Sequence, residues 1–247
     1  MDLIKYHEKI SEVLGQLANR QALYETAAQR MSDVVCADGL IHIFGTDMHT
    51  TSSVDEAFFR FGTLAAINPM YDPSIAVTHN AARAWYVKEF SECSSFLIEY
   101  YRNLSKGDVL LLLDNNGRSH FSTEAAKKAA EMGLEVIAIT SEAHTMAMPE
   151  DSAVCAKDGI KLQTMPEVSL VIDNAVPPFD ALDALTGQGW VSAIANSFIL
   201  NALVMAVCAE LTKRGRLVDI WQNFDVIDGA SHNQKLINQY ISRIKHI

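Results

Sequence analysis

A chain of 247 residues, 49% of them hydrophobic, suffices for one large α/β domain or two small ones and can bury a core without disulfide or metal staples. With 30 acidic against 20 basic side chains the net charge is −10 and the pI about 5.2, which argues against a general attraction to nucleic acid. Mean hydropathy of +0.07 places it among ordinary globules rather than disordered chains.

No apolar run is expected to reach the roughly 18 residues of a membrane span, because the most apolar segment, VSAIANSFILNALVMAVCAEL, carries Ser192, Asn196, Ser197 and Asn201. The N-terminus MDLIKYHEKISEVL is charged throughout and lacks a signal-peptide pattern, so the expected location is cytoplasmic and no membrane partner is expected. Cys36, Cys93, Cys155 and Cys208 have no paired spacing and read as reduced core thiols.

Up to about Val35, apolar residues recur at helical spacing (Ile4, Ile10, Val13, Leu14, Leu17, Leu23, Ala27, Ala28, Met31), predicting one long or two short amphipathic helices. DGLIHIFGT, 38–46, reads as a short buried strand. SSVDEAFFRFG, 52–62, reads as a helix begun by Ser53 with Glu56 in capping-box spacing. TLAAINPMYDPS, 63–74, carries two prolines and reads as irregular, and from Val77 to about Asn103 the pattern is helical again.

DVLLLLD, 108–114, is an apolar run of strand length that ends in a polar knot around Asn116-Gly117. Asn-Gly between apolar runs is a hairpin signal. Here no second alternating strand succeeds it; the chain runs on into STEAAKKAAEMG, with Ser122 or Thr123 placed to cap a helix and Gly133 to stop it. LEVIAIT, 134–140, is a further apolar run, and strand, helix, strand with runs apolar on both faces predicts a parallel sheet covered on both sides. SAVCA, 152–156, and VSLVIDN, 168–174, supply two more short strands. GQGWVSAIANSFILNALVMAVCAELTKRG is a long, mostly buried helix ended by Gly215, and GASHNQKLINQYISRI, 229–244, a terminal amphipathic helix. With no repeat or linker, a single globule is expected: a helical extension over 1–35 and one domain over 36–247.

In an open parallel sheet ligands bind outside the carboxyl ends of the strands. Two such ends carry hydroxyl-rich loops that open helices, GTDMHTTSSVDE and DNNGRSHFSTE. Each helix start offers unpaired amides and partial positive charge, so two converging make an anion site; singly, their Ser, Thr and Asp are caps. Neither loop contains GxGxxG or GxxxxGK[ST], and there is no HExxH. His49, His120, Asp47 and Asp114 have no spacing that argues for a metal.

At this point the chain resembles the sugar isomerase (SIS) domain family, most of all single-domain members similar to phosphoheptose isomerase. The resemblance rests on the strand-loop-helix order, on GDVLLLLDNNGRSHFSTEAAKKAAEMGLEVIAITS and FGTDMHTTSSVDEAFFRFG, and extends through NPMYDPS, DNAVPPFDA and GASHNQKLI. It implies a doubly wound, Rossmann-like, flavodoxin-type α/β fold, a phosphosugar ligand, no cofactor, and a homodimer or tetramer. For the oligomer, the N-terminal helices and the helix of residues 189–214 are the candidate interface. By the same resemblance the second loop, Asp114, Asn115, Asn116, Gly117, Arg118, Ser119, Ser122 and Thr123, binds the phosphate. The first, Gly45, Thr46, His49, Thr50, Thr51, Ser52 and Ser53, contacts the sugar. Glu56 and His232 are the nearest matches to the family's base and to its ring-opening histidine.

The implied chemistry is aldose–ketose isomerisation. A base removes the proton next to the carbonyl, a cis-enediol forms, and the proton returns to the neighbouring carbon. Bland roles stand beside these: Glu56 as capping-box partner, His232 as a surface or capping residue, Glu124 as a first-turn carboxylate serving the helix dipole.

The chain departs from the family pattern where Asp114 and Asn116 stand in place of serines, and where Asp47 and Met48 replace small residues. A carboxylate about 4 Å from a unit negative charge costs about 4 kcal/mol at an effective dielectric of about 20. Beside a phosphate it would outweigh a helix end worth about 0.3–1 kcal/mol. Three resolutions stand open: Asp114 hydrogen-bonds to loop amides, Arg118 neutralises it, or the ligand presents hydroxyls or an amine there. An isomerase and a non-catalytic sugar-phosphate binder acting through a protein partner are both consistent with the sequence.

Overall fold

Five short runs, most of them rich in Ile, Leu and Val, form one sheet because each has apolar side chains for both of its faces. The computed structural model describes residues 2–247. The strands are β1 (Ile41–Gly45), β2 (Ile67–Met70), β3 (Val109–Leu113), β4 (Glu135–Thr140) and β5 (Val168–Asp173), all parallel in the order β2-β1-β3-β4-β5. This is the flavodoxin-type doubly wound order, with its switch point between β1 and β3.

The two-residue period divides the core. Ile41, Ile43, Val109, Leu111, Leu113, Ile137 and Ile139 pack on one face with α1 (Leu3–Ala18), α2 (Gln21–Cys36) and α8 (Ser192–Lys213). Phe44, Leu110, Leu112, Val136 and Ala138 pack on the other with α5 (Cys93–Tyr100) and α6 (His120–Glu131). The N-terminal region is therefore two helices, separated at Asn19 and Arg20, whose Leu17, Ala27, Ala28 and Met31 share the core of the sheet. The terminal helix α9 (Gly229–Tyr240) closes a smaller cluster in which its Leu236 and Tyr240 meet Leu40, Ala65 and Trp221.

Beneath the amino ends of the strands lies a buried polar chain. The amide of Asn68 donates to His42 Nδ1 over 2.8 Å, and His42 Nε2 donates to Asp108 over 2.9 Å. Asp108 also accepts the amides of Leu40 and Ser105 at 2.9 and 3.0 Å. Burial alone would raise the Asp108 carboxyl, but these hydrogen bonds outweigh it and hold its pKa below the ordinary value.

Several expectations need correction. Residues 52–62 do not form one helix: α3 (Thr50–Ser53) is followed by a tight turn over Val54–Glu56. No capping box forms: Ser53 is the last residue of α3 and keeps a helical conformation, and its hydroxyl is buried without a partner. The stretch expected to be irregular contains β2, which accommodates Pro69 because an edge strand tolerates a residue lacking an N–H. The helical stretch from Val77 is two helices, α4 (Val77–Val87) and α5, parted where Glu92 turns left-handed at φ 64°.

SAVCA makes no strand. Turn bonds from Ser152 to Pro149 and from Cys155 to Ser152 hold it, with only one bridge, to Ser119. Ser119, not Ser122 or Thr123, caps α6, and α9 ends at Tyr240 rather than 244. Of the four cysteines only Cys155 is buried, and Cys36 is exposed. α8 does have the length and composition of a membrane span, with hydropathy 1.8. Its Ile199, Leu200, Leu203, Val207 and Leu211 are nonetheless core residues packed with the sheet.

Candidate functional site

The first loop folds back immediately after β1. A Cβ on Gly45 would lie 2.3 Å from the Thr50 carbonyl oxygen, so only glycine permits the turn. Thr46 and Thr50 are buried and both donate to the Leu113 carbonyl at 3.0 Å, clamping the loop to the end of β3. Asp47 is 7% exposed. It accepts the amides of His49 and Thr50 at 2.7 and 2.8 Å, and that of Asn115, from the second loop, at 3.0 Å. His49 and Ser52 remain exposed and Thr51 half-buried. Thr51 and Ser52 line a cavity of about 360 Å³ with Asp55, Tyr71, Asp72 and His79.

The second loop opens a helix, as its sequence predicts, but it is not an open cradle. Asp114, Asn115, Asn116, Gly117, Arg118, Ser119, Ser122 and Thr123 are all buried. Asp114 points inward, taking the Asn116 amide at 3.0 Å and the Ser119 hydroxyl at 2.6 Å. Ser119 in turn caps α6 by accepting the Ser122 amide at 3.1 Å, and Ser122 and Thr123 donate back to the Ser119 carbonyl. The Arg118 amide goes to the Asn116 side chain. Its guanidinium does not neutralise Asp114: it reaches the Met148 carbonyl at 3.3 Å, and its Nε is buried with no partner.

Cover comes from the segment after β4. Thr145 donates to the Asn116 carbonyl at 2.7 Å, and the amides of Ala156 and Leu162 go to the carbonyls of Arg118 and Gly117. Gly117, at φ 68°, backs directly onto the Thr140 and Thr145 hydroxyls, 2.6 and 2.4 Å from where a Cβ would stand. Beside it Asn174 donates to Asn115 at 2.7 Å and to Asn196 of α8 at 2.9 Å.

His144, which no motif in the sequence marks, sits on α7 (Glu142–Ala147), the short helix that comes after β4 and is capped by Ser141. Its Nδ1 is buried without a partner, and its ring lies 5.6 Å from that of Phe179. Burial pushes its pKa down, the carboxylates of Asp114, Asp47 and Asp180 oppose that, and the Lys88 charge adds to it. Asp180, in a left-handed turn after β5, accepts the amides of Val191 and Ser192 at 3.0 and 2.8 Å and the Ser192 hydroxyl at 2.5 Å.

Three helix starts therefore carry the chain's own carboxylates: Asp47 on α3, Asp114 through Ser119 on α6, and Asp180 on α8. Lys88, at the end of α4, is 9% exposed, and its ammonium has no hydrogen bond or ion pair with a described residue. The rule that ligands bind at strand ends, applied to β4 as well, would have pointed to Ser141 and His144. Nothing local marks Lys88 or Asp180.

The side chains of Glu56 and His232 make no hydrogen bond to either loop among the described residues. Glu56 is ion-paired with Arg60, and the His232 Nε2 donates to the Ile220 carbonyl at 2.9 Å. Glu124 accepts the Glu92 amide at 2.6 Å beside His120, and burial raises its carboxyl pKa. Among the described residues no group of three or more His, Cys, Asp or Glu side chains is placed to hold a metal ion.

A family model described as the SIS domain matches residues 5–141, more than half of the chain. The chain belongs to the SIS domain family. Among its relatives are two UPF0309 proteins. That of Caldanaerobacter subterraneus is 24% identical over 98% of both chains, and that of Brucella anthropi 28% identical over 97% of this chain and 94% of its own. Solved structures that resemble this SIS chain include phosphoheptose isomerases of Neisseria gonorrhoeae and Francisella tularensis. The first has TM-score 0.47 and 20% identity over 82% of this chain and 94% of its own; the second has TM-score 0.49 and 14% identity over 85% and 100%.

Proposed function

We propose that this SIS-domain chain binds a phosphorylated sugar derivative at the crevice between β1 and β3 and interconverts its aldose and ketose forms. The observation that supports the reaction is His144: an imidazole kept neutral by burial, with a ring nitrogen free, beside the switch point where a doubly wound sheet takes its ligand. As general base its Nδ1 takes the proton next to the carbonyl. The proton of the adjacent hydroxyl passes to the former carbonyl oxygen within the cis-enediolate, and the imidazolium returns its proton to the neighbouring carbon, so no net proton is consumed.

Purified protein should isomerise at least one member of a panel of aldose phosphates, and His144→Gln should abolish turnover while ligand-induced thermal stabilisation persists. Because a base acts when neutral and burial lowers this pKa, the rate should rise with pH through a midpoint below the usual histidine value of about 6.5. A fully active His144→Gln variant would remove His144 from the reaction.

One observation favours a second reading, a binder without turnover: Glu56 and His232 are held by Arg60 and the Ile220 carbonyl. Stabilisation by about 2.7 kcal/mol at a hundred times Kd, with no conversion of any sugar tested, would select it. In either case the chain self-associates through α2 and α8. They border a groove of about 840 Å³ lined by Tyr24, Ala28, Phe198, Ala202 and Met205, and Met205 is 72% exposed.

A further inference from the structure

The helix α4 has little of its own chain to pack on. Asn80 leaves the helical conformation and its side chain accepts the Arg83 amide at 2.9 Å, so the helix proper starts at Ala81. Turn bonds from Glu89 to Tyr86 and from Phe90 to Val87 extend it. Of its described residues only Ala84 is buried, while Trp85, Tyr86 and the Phe90 that follows are 52%, 62% and 64% exposed. A helix this short is marginal in water and draws its stability from packing. Three large aromatic side chains exposed within two turns are the composition of a contact surface.

The exposed face opposite Ala84 carries Ala82, Arg83, Tyr86, Glu89 and Phe90, three and four residues apart. Its pattern is symmetric about Tyr86: Ala82 and Phe90 stand four residues to either side, Arg83 and Glu89 three. The side chains of Arg83 and Glu89 have no hydrogen bond or ion pair with a described residue. Both oppose the dipole of their own helix, a cation in its first turn and an anion at its end. We propose that this face binds the same face of a second copy of the chain, antiparallel, with the twofold axis at Tyr86. Tyr86 then meets Tyr86, the small Ala82 receives the large Phe90, and Arg83 meets Glu89, each unlike contact made twice as the symmetry requires. The antiparallel neighbour also brings a carboxylate to each helix start and a guanidinium to each helix end, which answers the dipole. One helix face per chain buries less than the roughly 1,200 Å² of a stable interface, so the contact alone is weak at micromolar concentration. Made twice between dimers already joined through α2 and α8, it closes a tetramer. The tetramer rests on that α2–α8 contact; the α4 pairing does not.

Sedimentation velocity of the full chain, followed from micromolar to several hundred micromolar, compares wild type, Arg83→Glu, Glu89→Arg, an equimolar mixture of these two, and the double variant. Wild type should sediment as a tetramer. Each single variant sets like charges against each other across the axis and should fall to dimers, its tetramer association weakened at least about tenfold. The mixture and the double variant should recover tetramers, since opposite charges face each other again; only pairing of the chain with itself gives this complementation. Circular dichroism and melting of each variant show that it is folded. If folded single variants stay tetrameric, or their mixture stays dimeric, α4 does not pair with itself and the proposal is overturned. If the largest wild-type species is a dimer, swaps that dissociate it and a mixture that restores it leave the α4 pairing standing and remove the α2–α8 contact. Swaps without effect on that dimer overturn the α4 pairing, and a wild type monomeric throughout overturns both.

Discussion

Replacing Asp114 by alanine tests whether this carboxylate is a structural anion or a ligand contact. It is fully buried and takes two hydrogen bonds, from the Asn116 amide at 3.0 Å and the Ser119 hydroxyl at 2.6 Å. Truncation leaves both donors in the interior, and an unmade buried hydrogen bond costs about 1–3 kcal/mol. The Ser119 hydroxyl can turn toward Ser122 Oγ, 2.8 Å away, so the smaller part of that range applies to it. The sum is about 2–4 kcal/mol, which for a chain of this length lowers the melting temperature by about 5–15 °C. Asp114→Asn keeps one acceptor oxygen and should lose about half as much.

Urea unfolding of the three proteins measures the differences at equal m value, and calorimetric titration with a sugar phosphate measures affinity. If Asp114→Ala loses less than about 1 kcal/mol of stability while its affinity collapses, Asp114 touches the ligand and the self-capping account is wrong.

The buried polar chain and the exposed helical face can each be tested as well. Asp108 has a depressed pKa, so its contribution is present above the usual carboxyl value of about 4 and fades as the pH falls below it. Unfolding free energy measured down that range should drop more steeply for wild type than for Asp108→Asn, and parallel profiles would refute the His42–Asp108 coupling. Met205→Glu should convert the assembly to monomers by light scattering at micromolar concentration without lowering the melting temperature of the isolated chain; a monomeric wild type would contradict self-association through α2 and α8.

Much of the fold was legible because its signals are local. Continuous apolar runs at Val109–Leu113 and Glu135–Thr140 marked strands buried on both faces, and the Ala, Lys and Glu after Asn116-Gly117 marked a helix rather than a hairpin. β2 escaped notice because Pro69 disqualifies a central strand, and only the sheet order reveals that this one lies at an edge. Ser53 and Glu56 had the spacing of a capping box. The helix opens earlier, at Thr50 with its amide on Asp47, so Ser53 ends α3 instead of capping a helix, which spacing does not register.

The sequence by itself determined the layered α/β fold, the two polar loops at strand ends and the departure of Asp114 and Asn116 from serine. The tertiary structure alone decided that Asp114 turns inward, that Arg118 reaches Met148 instead of Asp114, that a ring nitrogen of His144 is buried without a partner, and that Glu56 pairs with Arg60 and His232 with the Ile220 carbonyl. The physical reason is range. Helix and strand periodicity arise from neighbours a few residues apart, whereas the partner of a buried amide, carboxylate or ammonium is supplied by whichever distant segment the fold lays against it.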